Sequence, residues 1–321
     1  MSFTLVLPGL LAHADELALN ADLAHIATHA TAIQVERDGI ESAILTALGI
    51  HGAGPAPLAA AGAELAVDDD FVLYADPVMF ALHDGVVLSK RVDDVSELET
   101  SAILTRLNAH FRSDALTFHA PRPDAWFARL PSAPAATMTP LPAARNRPLL
   151  AQLPQGPQGR QWQRWQDEIQ MLLHDRSMTA SPHETERSDV NGIWFWGAGR
   201  WSAVSLQRID AATASNRAGD VARGAALRSG GETRMLSADS PPPARDALVV
   251  VAPEATSSPQ PALGNFLAPA LAALRSGRFE ELVLVTDGHG AAVTWRARSP
   301  SLVSRAIATL RRPRFSVPGT E

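Results

Sequence analysis

Asn191, Trp196, Gly197, Gly199 and Arg200 fall within one ten-residue stretch, NGIWFWGAGR, and residues of these types can hold an anion or a hydroxyl group. An amide and an indole N–H donate hydrogen bonds, a guanidinium adds charge-assisted ones, and glycine lets backbone approach a ligand closely. The same stretch has a purely structural reading. Ile193 and Phe195 alternate with Trp194 and Trp196, so a strand here presents large side chains to both faces and must be covered on both, as a core strand ending in a tight turn. Either reading would explain why Trp194, Trp196 and Trp201 cluster here in a chain with seven tryptophans.

Three further residues are candidates for a ligand site. Asp76, in ADPV, is a carboxylate that could be functional, although aspartate before proline more often fixes a strand irregularity. Glu168 and His174 share one helical segment but are six residues apart. They project about 120° away from a common face, which is poor geometry for an acid–base pair. No residue earns a catalytic role: the sequence has no Gly-x-Ser-x-Gly elbow, no phosphate-binding Walker loop and no dinucleotide fingerprint. His25 and His29, four apart, could share a metal but have no third ligand nearby and read more simply as a helix face. Asp287 and His289, in VTDGHGAAV, read as a hairpin turn between apolar strands.

Composition narrows the classes. The 321-residue chain is long enough for two lobes or a core with an insertion. A net charge of −6 with scattered basic residues argues against nucleic acid and anionic membranes as partners. There is no cysteine, which excludes disulfides, thiol catalysis and thiolate-bound metal, and Lys90 is the only lysine available for imine chemistry. No 18-residue apolar run or cleavable leader is evident, so the expected location is the cytoplasm.

The elements that must position these residues follow from periodicity. FTLVLPG predicts a buried strand ended by Pro8 and Gly9, and ESAILTALG a helix closed by Gly49. From Phe71, two strands flank the turn pair Asp84–Gly85. A capping box at Ser96 and Glu99 then opens a helix bearing Leu104, Leu107 and Phe111. ALTFHAP and AWFARLP add two strands, giving a β-β-α-β-β unit over 70–132. The proline-rich segment 131–148 predicts a surface connector. Residues 159–175 predict a helix with Trp162, Trp165, Ile169 and Leu172 on one face, while 202–245 gives only short helices and loops. DALVVVAPE is a second buried strand, and the chain continues as a helix and a hairpin. The predicted fold class is α/β: a mostly parallel core from 1–69 and 133–321, carrying an inserted α+β subdomain at 70–132.

An early LxPGLL, a central ADPV, a helix DEIQMLLH and the segment NGIWFWGAG together resemble the RpfE-type bacterial regulatory proteins. These are described as predicted phosphoglycerate mutases of the alkaline phosphatase superfamily. Asp167 stands where the family pattern has asparagine, which removes an amide contact. NGIWFWGAGR is also similar, more distantly, to a segment of archaeal-type cofactor-independent phosphoglycerate mutases, and the β-β-α-β-β unit resembles the domain inserted in those enzymes. The resemblance implies an alkaline-phosphatase-like core and, for active members, two divalent metals held by aspartate and histidine, with a serine nucleophile. It places the first metal aspartate where this chain has Pro8, which cannot ligate. The leading expectation is therefore a catalytically degenerate, regulatory or ligand-binding protein without a cofactor, taking a small anionic or phosphorylated ligand. An active phosphomutase or phosphatase using manganese or zinc is the alternative, and a structural interaction protein the third. Oligomeric state is left open.

Overall fold

A computed structural model describes residues 2–13, 20–83, 86–145, 147–178, 189–204, 206–236, 247–251, 263–288 and 291–299. The chain divides into two compact units, one made of residues 1–51 and 205–321, the other of residues 52–204. No helix among the described residues is long and apolar enough to cross a membrane.

The discontinuous unit begins with β1 (Ser2–Leu7), α1 (Ala21–His29), β2 (Ala30–Glu36) and α2 (Ile40–Ala47). The contiguous unit follows with α3 (Ala56–Gly62), β3 (Phe71–His83), β4 (Val86–Arg91), α4 (Glu97–His110), β5 (Thr117–Arg122), β6 (Ala125–Leu130), α5 (Gly159–Met178) and β7 (Gly192–Arg200). The first unit then resumes with β8 (Asp210–Thr213), α6 (Arg217–Ser229), β9 (Thr233–Met235), β10 (Ala247–Val250), α7 (Ala268–Arg275), β11 (Glu281–Asp287) and β12 (Ala292–Arg298).

In the discontinuous unit, seven strands run in the order β2-β12-β11-β1-β10-β8-β9. β11, β1, β10, β8 and β9 are parallel, and β12 and β2 extend the sheet antiparallel. Strand alternation sorts the side chains into two buried layers. Phe3, Leu5 and Leu7 meet Leu23 and Ile26 of α1 and Leu271 and Leu274 of α7. Val6, Val250 and Val285 point the other way and are also buried, beneath α2 and α6. Gly49, at φ +75, ends α2 as expected: its N–H reaches Thr46 O and the Ile50 N–H reaches Leu45 O.

The contiguous unit holds a separate antiparallel sheet, ordered β4-β3-β6-β5 with β7 paired to β3. The expected β-β-α-β-β unit forms, and Ser96 caps α4 by accepting the Glu99 N–H at 3.2 Å. The Asp84–Gly85 turn lies outside the described residues. The unit is wider than the 70–132 inferred from periodicity, because β7 docks along β3 from Arg200–Phe71 to Gly192–Val78 and draws α5 with it. The 131–148 segment is likewise more than a surface connector: Leu141 and Ala144 are buried in a short helical turn, and Thr139 O accepts the Trp194 indole at 2.8 Å. In the 202–245 region the structure forms β8, α6 and β9. β8 reads DAAT, too short and too alanine-rich to show a period.

Candidate functional site

Alternation along β7 sends its aromatic residues to opposite faces. Phe195 and Ile193 join the core under α4 and α5, where the Phe195 ring lies 5.1 Å from Trp162. Trp162, Trp165, Ile169 and Leu173 form the buried stripe of α5, with Leu172 at its margin. Trp194 and Trp196 face the other way, and Trp196 stacks on Tyr74 at 4.6 Å.

Trp196 and Asp76 are brought together. The Trp196 indole N–H donates to Asp76 Oδ2 at 2.7 Å, and both residues are 1% exposed. Arg91, on β4, brings Nε to 3.6 Å from Asp76 Oδ1, donates from Nη2 to Asp124 O at 2.7 Å and pairs with Asp93 at 3.1 Å. A carboxylate removed from water needs both a countercharge and hydrogen-bond donors. Arg91 and the indole provide them, which ties β3, β4 and β7 together by charge. Arg91 carries no local sequence signal for this role, since it reaches Asp76 only through the β3–β4 register.

Asn191 sits just before β7 and acts as a peptide group. Its Oδ1 accepts the Phe80 N–H at 2.7 Å, its Nδ2 donates to Phe80 O at 3.0 Å, and its own N–H reaches Val78 O. The side chain thus continues the β3–β7 ladder beyond the last strand residue. Replacing Asn191 with alanine removes both partners of a part-buried peptide group. We expect a loss of about 1 to 3 kcal/mol, with Asn191→Asp intermediate because a carboxylate can accept but not donate. Denaturant unfolding followed by tryptophan fluorescence measures this; an Asn191→Ala midpoint equal to wild type would remove the ladder role.

The close approach allowed by Gly197 and Gly199 is to another segment of the chain. A Cβ on Gly199 would lie 3.0 Å from Pro57 and one on Gly197 3.3 Å from Pro55, and Gly197 has φ +66. Reciprocally, a Cβ on Gly54 would fall 2.2 Å from Gly197 O. Arg200 lies over the Phe71 ring at 4.5 Å, donates from Nη2 to Pro131 O at 3.3 Å and faces Asp69 at 3.6 Å.

Glu168 and His174 are not brought to this cluster. Both lie on α5, which covers the opposite face of the sheet. Glu168 meets His110 of α4 at 3.0 Å and Arg164 at 3.4 Å, and His174 is exposed.

In the discontinuous unit, the carboxyl ends of parallel strands are where α/β sheets place ligand chemistry. β1 ends there in Pro8 and Gly9, and β11 in Asp287. The Gly9 N–H donates to Asp287 Oδ1 at 2.6 Å. Asp287 also pairs in register with Ala292 across the β11–β12 hairpin, while His289 lies outside the described residues. A pair of hard cations would need several carboxylate or imidazole groups converging within a few ångströms. Among the described residues no three His, Asp or Glu side chains gather in this way. His25 and His29 stack at 4.2 Å on α1, with His29 Nδ1 2.9 Å from His25 O. Burial, aided by Arg275 and His29, lowers the pKa of His25 to about 4.

Two solved structures are similar to this chain over most of its length. The cofactor-independent phosphoglycerate mutase from Thermoplasma acidophilum is 12% identical, with 97% of this chain and 95% of that one covered and a TM-score of 0.38. The PH0037 protein from Pyrococcus horikoshii is 14% identical, covering 92% and 87%, with a TM-score of 0.46. No protein-family profile and no curated protein matches the chain.

Proposed function

We propose that this chain is a phosphoglycerate-mutase-like protein that lacks the metal-dependent phosphoryl chemistry and serves a regulatory or binding role. The observation that carries this reading is the end of β1. Pro8 stands where the sequence resemblance implies a metal aspartate, and the neighbouring Gly9 N–H holds the carboxylate of Asp287. That hydrogen bond ties the end of β11 to the turn after β1. The tryptophan strand supports the same reading from the other unit. Its amide, indole and guanidinium groups meet protein partners, as in a core strand, so they hold a scaffold together.

The expected result is that purified protein carries less than one manganese, zinc or iron per chain. It also fails to interconvert 2- and 3-phosphoglycerate when manganese is supplied. Elemental analysis and a coupled mutase assay measure the two. Stoichiometric metal together with turnover would establish the active phosphomutase instead.

A further inference from the structure

The two sheets treat their edges differently. An edge strand exposes a row of N–H and C=O groups that can template pairing with another chain, and proteins block it with charge, proline, bulges or covering groups. In the contiguous unit two side-chain amides do this. Asn191 occupies the backbone of Phe80, and Asn108 of α4 occupies that of Phe118 on β5, accepting its N–H at 2.7 Å and donating to its carbonyl at 2.9 Å.

β2, at the edge of the seven-stranded sheet, has no such amide, and its one irregularity is a bulge at Thr31, between the Ala30–Ala297 and Ala32–Arg296 pairs. It pairs with β12 on one side, and no described strand pairs with the other. From Ala30 to Val35 it contains no charge and no proline, and Thr31 to Val35 are exposed on both faces. Ile33 and Val35, on one face, are 47% and 45% exposed.

We propose that the outer edge of β2 is a homodimer interface, at which two copies pair β2 antiparallel about a two-fold axis at Gln34 and join their sheets. A two-fold contact must be self-complementary, and this register is. It sets Ile33 of each copy opposite Val35 of the other, twice, so the exposed apolar side chains cover one another. On the other face, Glu36 of one copy lies opposite Ala32 of the other. The cross-strand neighbour of Ala32 is Arg296, whose guanidinium is held within its own chain by Glu281 and the Ala47 carbonyl, so Glu36 meets no like charge there. Like charges do not meet within the paired residues 32–36, which lie clear of the bulge at Thr31. A second copy is favoured over a foreign strand because the edge supplies both halves of this match.

The absence of native cysteine makes the register directly testable. In the full-length chain, Gln34→Cys places one thiol per copy at the axis, and Leu98→Cys places one on exposed α4 as a collision control. The expected results are a concentration-dependent dimer in sedimentation velocity and covalent dimer from Gln34→Cys under mild oxidation, with little from Leu98→Cys. Val35→Lys, an exposed substitution, should weaken dimerisation at least about tenfold while leaving the melting temperature unchanged. A chain that stays monomeric at about 100 µM, well above the dissociation constants of most specific dimers, overturns the proposal. So does a dimer indifferent to Val35→Lys, or one in which both cysteines cross-link equally.

Discussion

Trp196→Ala should cost the contiguous unit about 5 kcal/mol, enough to bring it close to unfolding at room temperature. Two losses combine. Deleting a fully buried tryptophan empties the space against Tyr74, which by itself costs about 3 to 5 kcal/mol. The same change takes away the indole N–H that Asp76 accepts at 2.7 Å, and hydrogen bonds to charged groups contribute about 1.5 to 3 kcal/mol. Trp196→Phe separates the two: it keeps an aromatic ring on Tyr74 and loses the donor, for an expected cost of about 2 kcal/mol. The readout is favourable, because six of the seven tryptophans lie within residues 52–204 and fluorescence reports that unit. Combining Trp196→Phe with Asp76→Asn in a double-mutant cycle should show coupling of at least about 0.5 kcal/mol. Additive effects would mean that the indole–carboxylate contact contributes nothing.

Gly54→Ala is the second large effect, expected at about 3 kcal/mol. A Cβ there lies 2.2 Å from Gly197 O and 2.3 Å from Ala198 O, and both obstacles are backbone, which cannot turn aside as a flexible side chain would. Either the 54–57 segment lifts from β7 or the strand bends. Gly52→Ala is the matched control. It has φ +75 but nothing within 4 Å of the added methyl, so only left-handed backbone strain of about 1 to 2 kcal/mol applies. Equal thermal midpoints for the two variants would show that Gly54 does not touch β7 as described.

Much of the fold was legible because local rules and tertiary context agree. The capping box at Ser96, the apolar stripe of α5 and the buried run of β1 each declare themselves within one window. β2 did not, since ATAIQVE buries neither face and so leaves no alternation to read. The domain boundary was missed for a related reason: β7 belongs with β3 through a ladder whose partners are more than a hundred residues apart. Along NGIWFWGAGR, residue types stated what each side chain could bind and could not name its partners. Nothing around Asn191 indicates that its amide meets the backbone of Phe80, and nothing near Gly197 points to Pro55. Residue type states what a side chain can bind, and the register of distant strands decides what it does bind.

The placement of residues 52–204 inside the other unit also orders events in time. Thr4 of β1 pairs with Leu248 and Val283, so at the start of synthesis the central strand of the parallel sheet has neither neighbour. At roughly 5 to 20 residues per second, it waits on the order of 10 to 50 s for them to leave the ribosome. The contiguous unit has no such dependence and can close as soon as β7 emerges. A chain ended and released after residue 204 should therefore already resist protease across residues 52–204 while its first 51 residues are cut. The apolar run FTLVL thus stays without its strand partners, and open to chaperones, until β10 and β11 have been made.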